Sequence, residues 1–554
     1  MMHAVPIFTL IIIVQCHRVV EGSGEKFTAI IELKKVLHAE RDIANEIDDY
    51  IKAEEDRLSK LRRISADYKK HSHDALLDTE RYLGNPVNAY LLVKRFTIDW
   101  NNIVQSFISN STIQELVNKI NTRQDDFPDG DDLSGVITAL LRLQDTYQIP
   151  ASKIAKGEIA GVDGDKTPEL SAADCFELGR ASYNVGDYYH AIPWMQETLD
   201  RITLLSDRTV NKVTVLDYLA FSIYKQGNIK YALDLTNQLL EIDQSQERLF
   251  NNKKHYEELL EAKAMNGEPI SDSIRNEQPS NQYQQGSEFI VYEKLCRGED
   301  THPQPPARVL VCSYEDFGRP WLKYGPIKQE VVYDKPRIII FHEIMTNSEM
   351  DRIKELAGPR LNRATIQNSL TGKLEFANYR ISKSAWLKDE LDPVCNKINR
   401  RIRQITGLSV DTAEDLQVVN YGIGGHYEPH FDFARKEEKN AFKSLGTGNR
   451  IATLIYYMSD VQAGGATVFP YIGLKLWPVK GAAAFWFNLH ASGEGDYLTR
   501  HAACPVLAGS KWVCNKWFHE RGQEFLRPCK LRPDHPEPNE EYLVATKGRF
   551  VNSE

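Results

Sequence analysis

Several features that would place this chain in common classes of protein are absent from its sequence. No Cys-x-x-Cys pair occurs among its eight cysteines, which argues against a structural zinc site. No long basic tract occurs, and a net charge of −9 argues against a nucleic-acid-binding protein. Apart from an apolar run at residues 5–14, no stretch approaches the roughly 20 apolar residues of a membrane-spanning helix. The 554 residues therefore predict several globular domains without a transmembrane anchor.

The N-terminus predicts entry into the secretory pathway. The run at residues 5–14 is too short to cross a bilayer but has the length of a signal-peptide core, although no Lys or Arg precedes it. We expect a signal peptide over residues 1–22, with a buried N-terminal strand as the alternative. Asn110-Ser111-Thr112 is a glycosylation acceptor that fits this route. The last residues, Val551 to Glu554, are not a retrieval signal for the endoplasmic reticulum.

Seven cysteines remain if Cys16 is removed with the signal peptide. In a secretory protein some of them should be paired. Because their number is odd, at least one is a free thiol or part of an intermolecular bond. They are Cys175, Cys296, Cys312, Cys395, Cys504, Cys514 and Cys529.

The stretch from Tyr421 to Phe433 contains a candidate metal-binding pair, His430 and Asp432. Residues i and i+2 of a β-strand point to the same face, so an imidazole and a carboxylate can bind one ion there. Two histidines and one carboxylate are the protein ligands of non-haem Fe(II) oxygenases, which leave positions open for reactants. A lone His-x-Asp is more often an ordinary surface strand, so a third ligand is needed. His501, before an apolar strand, is the candidate.

Lys511 is a candidate for binding an anion. It follows a Gly-Ser turn and precedes Trp512 and Val513, so it begins a short predicted strand. A lone Lys among aromatic and β-branched neighbours is costly to bury without an anion. A dicarboxylate cosubstrate would supply that anion.

Residues 314–554 are predicted to form the catalytic domain, and residues 263–313, which are polar and rich in proline, are predicted to be a linker. Glycine pairs mark turns between the strands of the catalytic domain. The predicted strands are 338–341, 415–421, 451–458 and 482–488, and the predicted helices are 348–357 and 387–406.

Residues 167–262 are predicted to form helix pairs of the tetratricopeptide type. Three residues recur 41 positions later, Tyr183, Gly186 and Ala191 as Tyr224, Gly227 and Ala232. Glycine suits a turn between helices, and a small alanine suits a helix crossing. Two such pairs form a short concave surface.

One helix of this region carries an aromatic stripe. Tyr218, Phe221 and Tyr224 are spaced by three residues and therefore lie on one face. Core packing is the usual role of such a stripe. Tyrosine also suits an exposed groove, and proline-rich peptides in the polyproline II conformation bind to aromatic grooves.

Residues 23–150 are predicted to form a helical N-terminal domain. Apolar residues recur there at alternating steps of three and four, which is the seam of a coiled coil. Glu40, Glu54 and Ser65 interrupt the seam, so the spacing leaves open whether the helix packs within its own domain or pairs with a second copy. The seam residues are Ile30, Leu33, Leu37, Ala44, Ile47, Ile51, Leu58 and Leu61.

Residues 415–529 resemble the catalytic domain of the α subunits of collagen prolyl 4-hydroxylases, and a looser similarity covers nearly the whole chain. The resemblance is carried by six stretches. They are Tyr421-Gly422-x-Gly424-Gly425, residues 430–435 (HFDFAR), residues 446–450 (GTGNR), residues 464–470 (GGATVFP), residues 491–497 (ASGEGDY) and residues 500–505 (RHAACP).

The resemblance implies a double-stranded β-helix, or jelly roll, as the catalytic fold. It also implies that His430, Asp432 and His501 bind Fe(II) and that Lys511 pairs with the distal carboxylate of 2-oxoglutarate. Tyr421 and Trp517 match residues that line the cosubstrate and peptide pocket. L-Ascorbate is the implied reductant.

The same resemblance implies how the other regions work. The N-terminal helices pair two α subunits, protein disulfide isomerase is the β subunit of an α2β2 tetramer, and the endoplasmic reticulum lumen is the compartment. The tetratricopeptide-like domain binds a proline-rich chain through Tyr183 and the stripe. Two family tyrosines are replaced here, by Phe221 and His255, and Cys514 also departs from the family pattern. The implied disulfides are Cys296–Cys312 and Cys504–Cys529.

These observations predict a multidomain protein with an all-α N-terminal half and a jelly-roll catalytic domain with flanking helices. The predicted activity is that of a procollagen-proline 4-dioxygenase. A non-catalytic collagen-binding chaperone is one alternative. A hydroxylase of another collagen residue, such as lysine, is the other.

Overall fold

The structure is a computed structural model that describes residues 26–77, 130–160, 169–204, 210–242, 246–267, 274–279, 281–302, 310–367, 373–438, 441–443 and 445–532. The chain divides into two compact units, Glu32–Asp129 and the remainder, which joins Met1–Ile31 to Gly130–Glu554. The predicted domain of residues 23–150 is therefore divided between the two units. The predicted signal peptide and Asn110 lie outside the described residues.

Helix α1 (Ile30–Leu77) supplies the described part of the Glu32–Asp129 unit, and it contains the whole predicted seam. Leu37 is 63% exposed, and Ile47, Ile51 and Leu58 are also exposed in the single chain. The predicted helix is thus present, and pairing with a second copy stays a prediction.

In the first part of the other unit, the described residues form seven helices. Among the described helices, none has an apolar stretch long enough to cross a membrane. They are α2 (Gly130–Tyr147), α3 (Ala151–Ala155), α4 (Ala172–Asn184), α5 (Tyr188–Leu204), α6 (Lys212–Lys225), α7 (Ile229–Ile242) and α8 (Glu247–Met265).

Helices α4 to α8 form the predicted repeat of helix pairs. Gly186 between α4 and α5 and Gly227 between α6 and α7 have φ of +80° and +85°, a conformation that residues with a Cβ avoid. Ala191 and Ala232, the small residues of the repeat, are fully buried. The 41-residue spacing therefore identified both turns correctly.

A buried histidine joins helix α2 to helix α5. The His190 ring contacts Asp145 Oδ1 through Nε2 at 2.9 Å and Asp187 Oδ2 through Nδ1 at 2.6 Å. Burial disfavours the charged ring, but the two carboxylates outweigh burial and raise the pKa of His190 to about 9. Helix α2 is thus fastened to the helix-pair domain by a charged contact.

The catalytic region is built from antiparallel strands. The first eight are β1 (Cys312–Glu315), β2 (Ile327–Tyr333), β3 (Ile338–His342), β4 (Asn362–Arg363), β5 (Ile366–Gln367), β6 (Leu374–Glu375), β7 (Arg380–Ile381) and β8 (Lys383–Leu387). The others are β9 (Leu416–Tyr421), β10 (His426–His430), β11 (Arg450–Tyr457), β12 (Ala463–Gly464), β13 (Thr467–Phe469), β14 (Leu474–Leu476), β15 (Ala483–Phe487), β16 (His501–Ala503), β17 (Val506–Ala508) and β18 (Lys511–His519).

Two sheets form the body of this region. The larger has the order β1-β2-β3-β15-β11-β18-β9-β8-β4, and the smaller has the order β14-β13-β16-β10-β7. One buried cluster contains residues of both sheets, including Val419, Val513 and Phe469, so the sheets pack face to face. The opposite face of the larger sheet packs on helices α10 (Asn347–Ala357) and α11 (Pro393–Thr406). The prediction of a jelly roll with flanking helices is confirmed by the two packed sheets and the two helices.

The four strands and two helices predicted for this region are present within one residue of their predicted bounds, except at one helix start. The helix predicted from Leu387 begins at Pro393, because Leu387 ends strand β8. Asp392 caps the helix by accepting a hydrogen bond from Val394 N at 2.9 Å, and proline is favoured in the first turn.

The predicted linker contains a structural helix, α9 (Ser287–Cys296). Its residues Tyr292, Leu295 and Cys296 are buried against Val468 and Ala502 of the smaller sheet. Residues 287–296 are therefore part of the catalytic region, and the prediction of a linker over all of 263–313 was wrong there.

The predicted disulfide pairings also differ from the structure. Cys296 is bonded to Cys504, while Cys312 and Cys529 are free and exposed. The packing explains the difference, because helix α9 lies on the smaller sheet and brings Cys296 into one buried cluster with Cys504. Cys312 instead begins the edge strand β1. The implied Cys296–Cys312 and Cys504–Cys529 bonds are therefore corrected to a single bond across 208 residues.

Replacing His190 by Gln should remove a pH-dependent part of the stability. Because the folded-state pKa of His190, about 9, lies above the ordinary value of 6.5, protonation stabilises the fold. That contribution is fully present below about pH 6.5 and is lost as the pH rises through about 9. Melting temperatures across this range should fall more for the wild type than for His190→Gln, with exposed His255→Gln as the control. Parallel curves for the wild type and His190→Gln would contradict the assignment.

Candidate active site

Two antiparallel strands of the smaller sheet bring the candidate metal ligands together. In the pairing of β10 with β16, His430 lies directly opposite His501. Their ring centroids are 4.4 Å apart. One ligand atom each from His430, Asp432 and His501 lies within 4.8 Å of the others. Residues 71 positions apart in the chain therefore form one possible metal centre.

Asp432 lies just beyond the end of strand β10, not within the strand as predicted. Its carboxylate nevertheless reaches both histidines, with Oδ1 3.7 Å from His430 Nε2 and Oδ2 3.5 Å from His501 Nε2. Burial opposes ionisation of Asp432, but His501, His430 and Arg450 outweigh burial and lower its pKa to about 2. The group is thus an anionic ligand at neutral pH.

Strand β11 fixes the orientation of the Asp432 carboxylate. Thr453 Oγ1 donates to Asp432 Oδ2 at 2.7 Å and accepts from Asn488 Nδ2 at 2.9 Å. Trp486 Nε1 in turn donates to Asn488 Oδ1 at 2.9 Å. Such outer contacts hold a metal ligand in place before the ion binds.

Both histidines present the same ring nitrogen to the centre. Nδ1 of His430 lies 2.8 Å from Glu428 O, and Nδ1 of His501 lies 3.0 Å from Thr499 O. A backbone carbonyl only accepts, so each Nδ1 carries the proton and each Nε2 is left with a lone pair for a metal ion. Burial, reinforced by His501, lowers the pKa of His430 well below its usual range and favours the neutral ligand form.

Lys511 lies next to this centre on the larger sheet. It begins strand β18 opposite Tyr421, the last residue of β9, and its Nζ lies 5.1 Å from the Tyr421 ring centroid. Lys511 is 1% exposed, and burial lowers its pKa to about 7. No carboxylate of the described residues forms an ion pair with it.

A cavity of about 40 Å³ joins the candidate residues. The three candidate ligands, Lys511, Tyr421 and Trp517 all line it. It adjoins an open groove of about 860 Å³. Both are lined by Arg380, Tyr427, His430, Asp432 and Trp517. The structure thus brings together all six residues singled out by sequence.

A buried charged pair supports Trp517. Arg450 packs over the Trp517 ring at 4.0 Å and donates to both oxygens of Glu414, at 2.5 and 2.9 Å. His519 Nε2 lies 3.0 Å from the same carboxylate. Burial opposes ionisation of Glu414, but Arg450 and His519 lower its pKa to about 2. Sequence reasoning missed Arg450 and Glu414, although Arg450 stands in one of the matching stretches.

Tyr427 is a second residue that sequence reasoning missed. Its ring stacks on His430 with centroids 3.5 Å apart, and Arg380 lies over its ring at 4.8 Å. Positions i and i+3 of a regular strand face opposite sides. The pairing of β10 with β16 shifts register between these two residues, which allows both rings to meet. Strict alternation would have excluded this contact.

The helix-pair domain gathers the predicted groove residues on one face. Tyr183 contacts Tyr218 at 4.6 Å and Phe221 at 5.6 Å, and Phe221 contacts Tyr224 at 5.9 Å between ring centroids. The Tyr224 hydroxyl lies 3.0 Å from His255 Nε2. These side chains are half-buried, except for the exposed His255, so the stripe is accessible from solvent. Tyr188, 6.0 Å from Phe221, extends the stripe and was not predicted.

Three family models match this chain. Residues 29–161 match the prolyl 4-hydroxylase alpha-subunit N-terminal region, and residues 172–262 match the prolyl 4-hydroxylase peptide-substrate-binding domain. Residues 416–519 match the 2OG-Fe(II) oxygenase superfamily. The last range contains every candidate ligand.

Known relatives cover nearly the whole chain. Prolyl 4-hydroxylase subunit alpha-1 of Bos taurus is 48% identical over 521 residues, which are 91% of this chain and 95% of the relative. Prolyl 4-hydroxylase subunit alpha-2 of Caenorhabditis elegans is 47% identical over 516 residues, covering 92% and 94%.

Among solved structures, the viral collagen prolyl hydroxylase vCPH from Paramecium Bursaria Chlorella virus-1, bound to 2OG, is 23% identical with a TM-score of 0.26. The match covers 32% of this chain and 94% of the viral protein. The family assignment rests on the sequence relatives and not on this structural match. Their identity over almost the full length shows that this chain belongs to the family of prolyl 4-hydroxylase alpha subunits, as a 2-oxoglutarate- and Fe(II)-dependent dioxygenase.

Proposed function

We propose that this chain hydroxylates C4 of peptidyl proline in collagen-like X-Pro-Gly sequences. The reaction consumes O2 and 2-oxoglutarate and yields hydroxyproline, succinate and CO2. The observation that carries the proposal is the convergence of His430, Asp432 and His501 beside the buried cation of Lys511. A centre with three protein ligands leaves coordination positions for a cosubstrate and O2.

The donor set fits Fe(II). Two neutral imidazoles and one carboxylate suit that ion, and two backbone carbonyls and Thr453 hold these ligands in orientation. Bound iron supplies the O2 activation, which no side chain here provides. The protein holds the reactants in place. Because the ligands are surrounded by buried residues, it also limits the access of water.

Lys511 is the proposed partner of the distal carboxylate of 2-oxoglutarate. Its ammonium lies in the cavity that the metal ligands also line. A bound carboxylate would favour the charged form and offset the effect of burial, which alone lowers the pKa of Lys511 to about 7. Tyr421, opposite Lys511 in the sheet, and Trp517 are proposed to close the sides of this pocket.

The peptide is proposed to bind at two places. The groove beside the ligands is lined by aromatic rings, including Tyr379, Trp386 and Trp517. The stripe from Tyr183 to His255 offers a second aromatic surface on the helix-pair domain. A polyproline II chain arrives with its backbone already ordered, so little conformational entropy is lost on binding.

The assembly and compartment are proposed from the family resemblance. Protein disulfide isomerase would be the β subunit, the exposed seam of α1 would pair two α chains, and the site of action would be the endoplasmic reticulum lumen. L-Ascorbate would restore iron that is oxidised in unproductive cycles. The exposed Leu37, Ile47, Ile51 and Leu58 support pairing, because a second helix would remove them from water.

The alternatives differ in what the site does. A non-catalytic chaperone would need only the stripe, and the intact ligand set with Lys511 argues against it. A lysine hydroxylase would share the metal site, and the aromatic stripe favours proline-rich peptides.

The direct test uses the chain co-expressed with protein disulfide isomerase. The complex is incubated with a Pro-Pro-Gly repeat peptide, Fe(II), 2-oxoglutarate and ascorbate, with a lysine-containing collagen peptide in parallel. Mass spectrometry should find oxygen on proline only when 2-oxoglutarate is present. Oxygen on lysine alone would support the other hydroxylase, and binding without oxidation would support the chaperone.

His501→Ala should abolish turnover, because two ligands would remain for the ion. His342→Ala is the matched control, since this ring pairs with Glu330 on the outer strands. Initial rates of 2-oxoglutarate decarboxylation provide the measurement. Full turnover by the His501 variant would exclude this ligand set.

Tyr218→Ala should chiefly weaken peptide binding. Loss of its contacts with Tyr183 and Phe176 should raise the peptide dissociation constant about ten-fold, or about 1.4 kcal/mol. Calorimetry with a Pro-Pro-Gly peptide would measure the effect, with exposed Tyr231→Ala as the control. Equal affinity in the wild type and the Tyr218 variant would remove the stripe from the binding site.

Thr453→Val should weaken metal binding about ten-fold, because Asp432 loses the donor that orients it. Thr453→Ser keeps the hydroxyl and should bind as the wild type does. Titration with Mn(II), a redox-stable probe, would measure both. Unchanged affinity in Thr453→Val would show that the hydroxyl does not orient the ligand.

A further inference from the structure

Phe431, the residue between the two ligands His430 and Asp432, is held by side chains that precede the third ligand. The Tyr497 ring packs edge-on against Phe431 at 5.3 Å. The guanidinium of Arg500 lies over the Phe431 ring, 4.8 Å from its centroid. Because Arg500 directly precedes His501, the segment that ends at the third ligand also contacts the residue between the first two.

Arg500 is itself held by a residue from outside the oxygenase match. Both oxygens of the Glu288 carboxylate accept from Arg500, one from Nε and the other from Nη2 at 3.0 Å. Each side chain is only 17% exposed. Such two-point pairing fixes the plane of a guanidinium, which a lysine ammonium cannot reproduce.

The element that carries Glu288 is firmly attached to the catalytic region. Helix α9 buries Tyr292 and Leu295 against the smaller sheet and is bonded to Cys504 through Cys296. Beyond its end, Lys475 Nζ donates to Gly298 O at 2.6 Å. Glu288 therefore lies on a helix that is fixed to the catalytic region, and such a helix can set the position of Arg500.

We propose that Arg500 is a positioning residue for the metal centre and that Glu288 of helix α9 holds it in place. Glu288 orients the guanidinium, the guanidinium and Tyr497 clamp Phe431, and Phe431 keeps His430 and Asp432 directed toward His501. Helix α9 is thus a working part of the active site. This inference rests on the proposed ligand set, which the experiment tests separately.

The experiment measures Mn(II) affinity of the complete chain in its complex with protein disulfide isomerase, using electron paramagnetic resonance of free Mn(II). Arg500→Lys and Glu288→Gln should each raise the Mn(II) dissociation constant about ten-fold, the usual scale for residues that support metal ligands. Arg500→Lys keeps the positive charge, so its effect would report geometry.

Asp300→Asn is the matched control. The Lys475–Asp300 pair, at 2.6 Å, also joins residues 263–313 to the catalytic region, but it does not contact Phe431. It should leave Mn(II) affinity unchanged. The proposal is overturned if both test variants bind Mn(II) as tightly as the wild type, or if Asp300→Asn weakens binding equally.

His430→Ala separates the two claims. If this variant loses Mn(II) binding while Arg500→Lys and Glu288→Gln do not, the ligand set stands and the positioning role fails. If His430→Ala binds Mn(II) as the wild type does, the ligand set fails, and the positioning role fails with it.

Discussion

Strands β10 and β16 set His430 directly opposite His501, and the proposed metal centre depends on that register. A shift of one residue would turn one imidazole to the other face of the sheet and separate the ligands. The register is specified by burial, because β16 is buried along its whole length and its neighbours Phe469 and Trp486 pack around His501. Helix α9 and the Cys296–Cys504 bond lie close to the same strand.

The second constraint is the cost of burying charge. Two charged residues begin strands of the larger sheet, Arg450 in β11 and Lys511 in β18, and Glu414 lies just before β9. An unpaired ion would be unfavourable at these positions. Arg450 and Glu414 satisfy each other, and the pair supports Trp517. Lys511 forms no ion pair among the described residues, and burial alone lowers its pKa to about 7, so its charged form lacks the anionic partner that the proposed cosubstrate would supply. A charged side chain that is paired within the protein, such as Arg450, can thus be distinguished from one that is not, such as Lys511.

Much of the site could be predicted because its residues stand in short, characteristic stretches. His430 and Asp432 were candidates from their spacing, and the family resemblance implied the full ligand set with His501 and the role of Lys511. Tyr427 was missed because strict alternation puts residues i and i+3 of a strand on opposite faces. The register shift between Tyr427 and His430 instead brings their rings together. Arg500 stands in a matching stretch, but its role could not be predicted, because its partner Glu288 lies 212 residues away and such a pairing leaves no local signal.

The same reasoning explains the errors in the fold. Residues 263–313 are polar on average, and that average concealed helix α9, which has few buried residues. The disulfide pairing depends on where that helix packs, which spacing along the chain does not reveal. Repeats were easier to identify, because Gly186 and Gly227 need backbone conformations that other residues rarely adopt.

The central claim is that this metal centre couples the decarboxylation of 2-oxoglutarate to the hydroxylation of proline. The most direct test is the ratio of succinate to hydroxyproline formed by the assembled enzyme with a Pro-Pro-Gly peptide. With saturating peptide and ascorbate, the account predicts close to one hydroxyproline for each succinate, because unproductive cycles add only a small excess of succinate. Succinate that accumulates without hydroxyproline, or hydroxyproline that forms without 2-oxoglutarate, would contradict it.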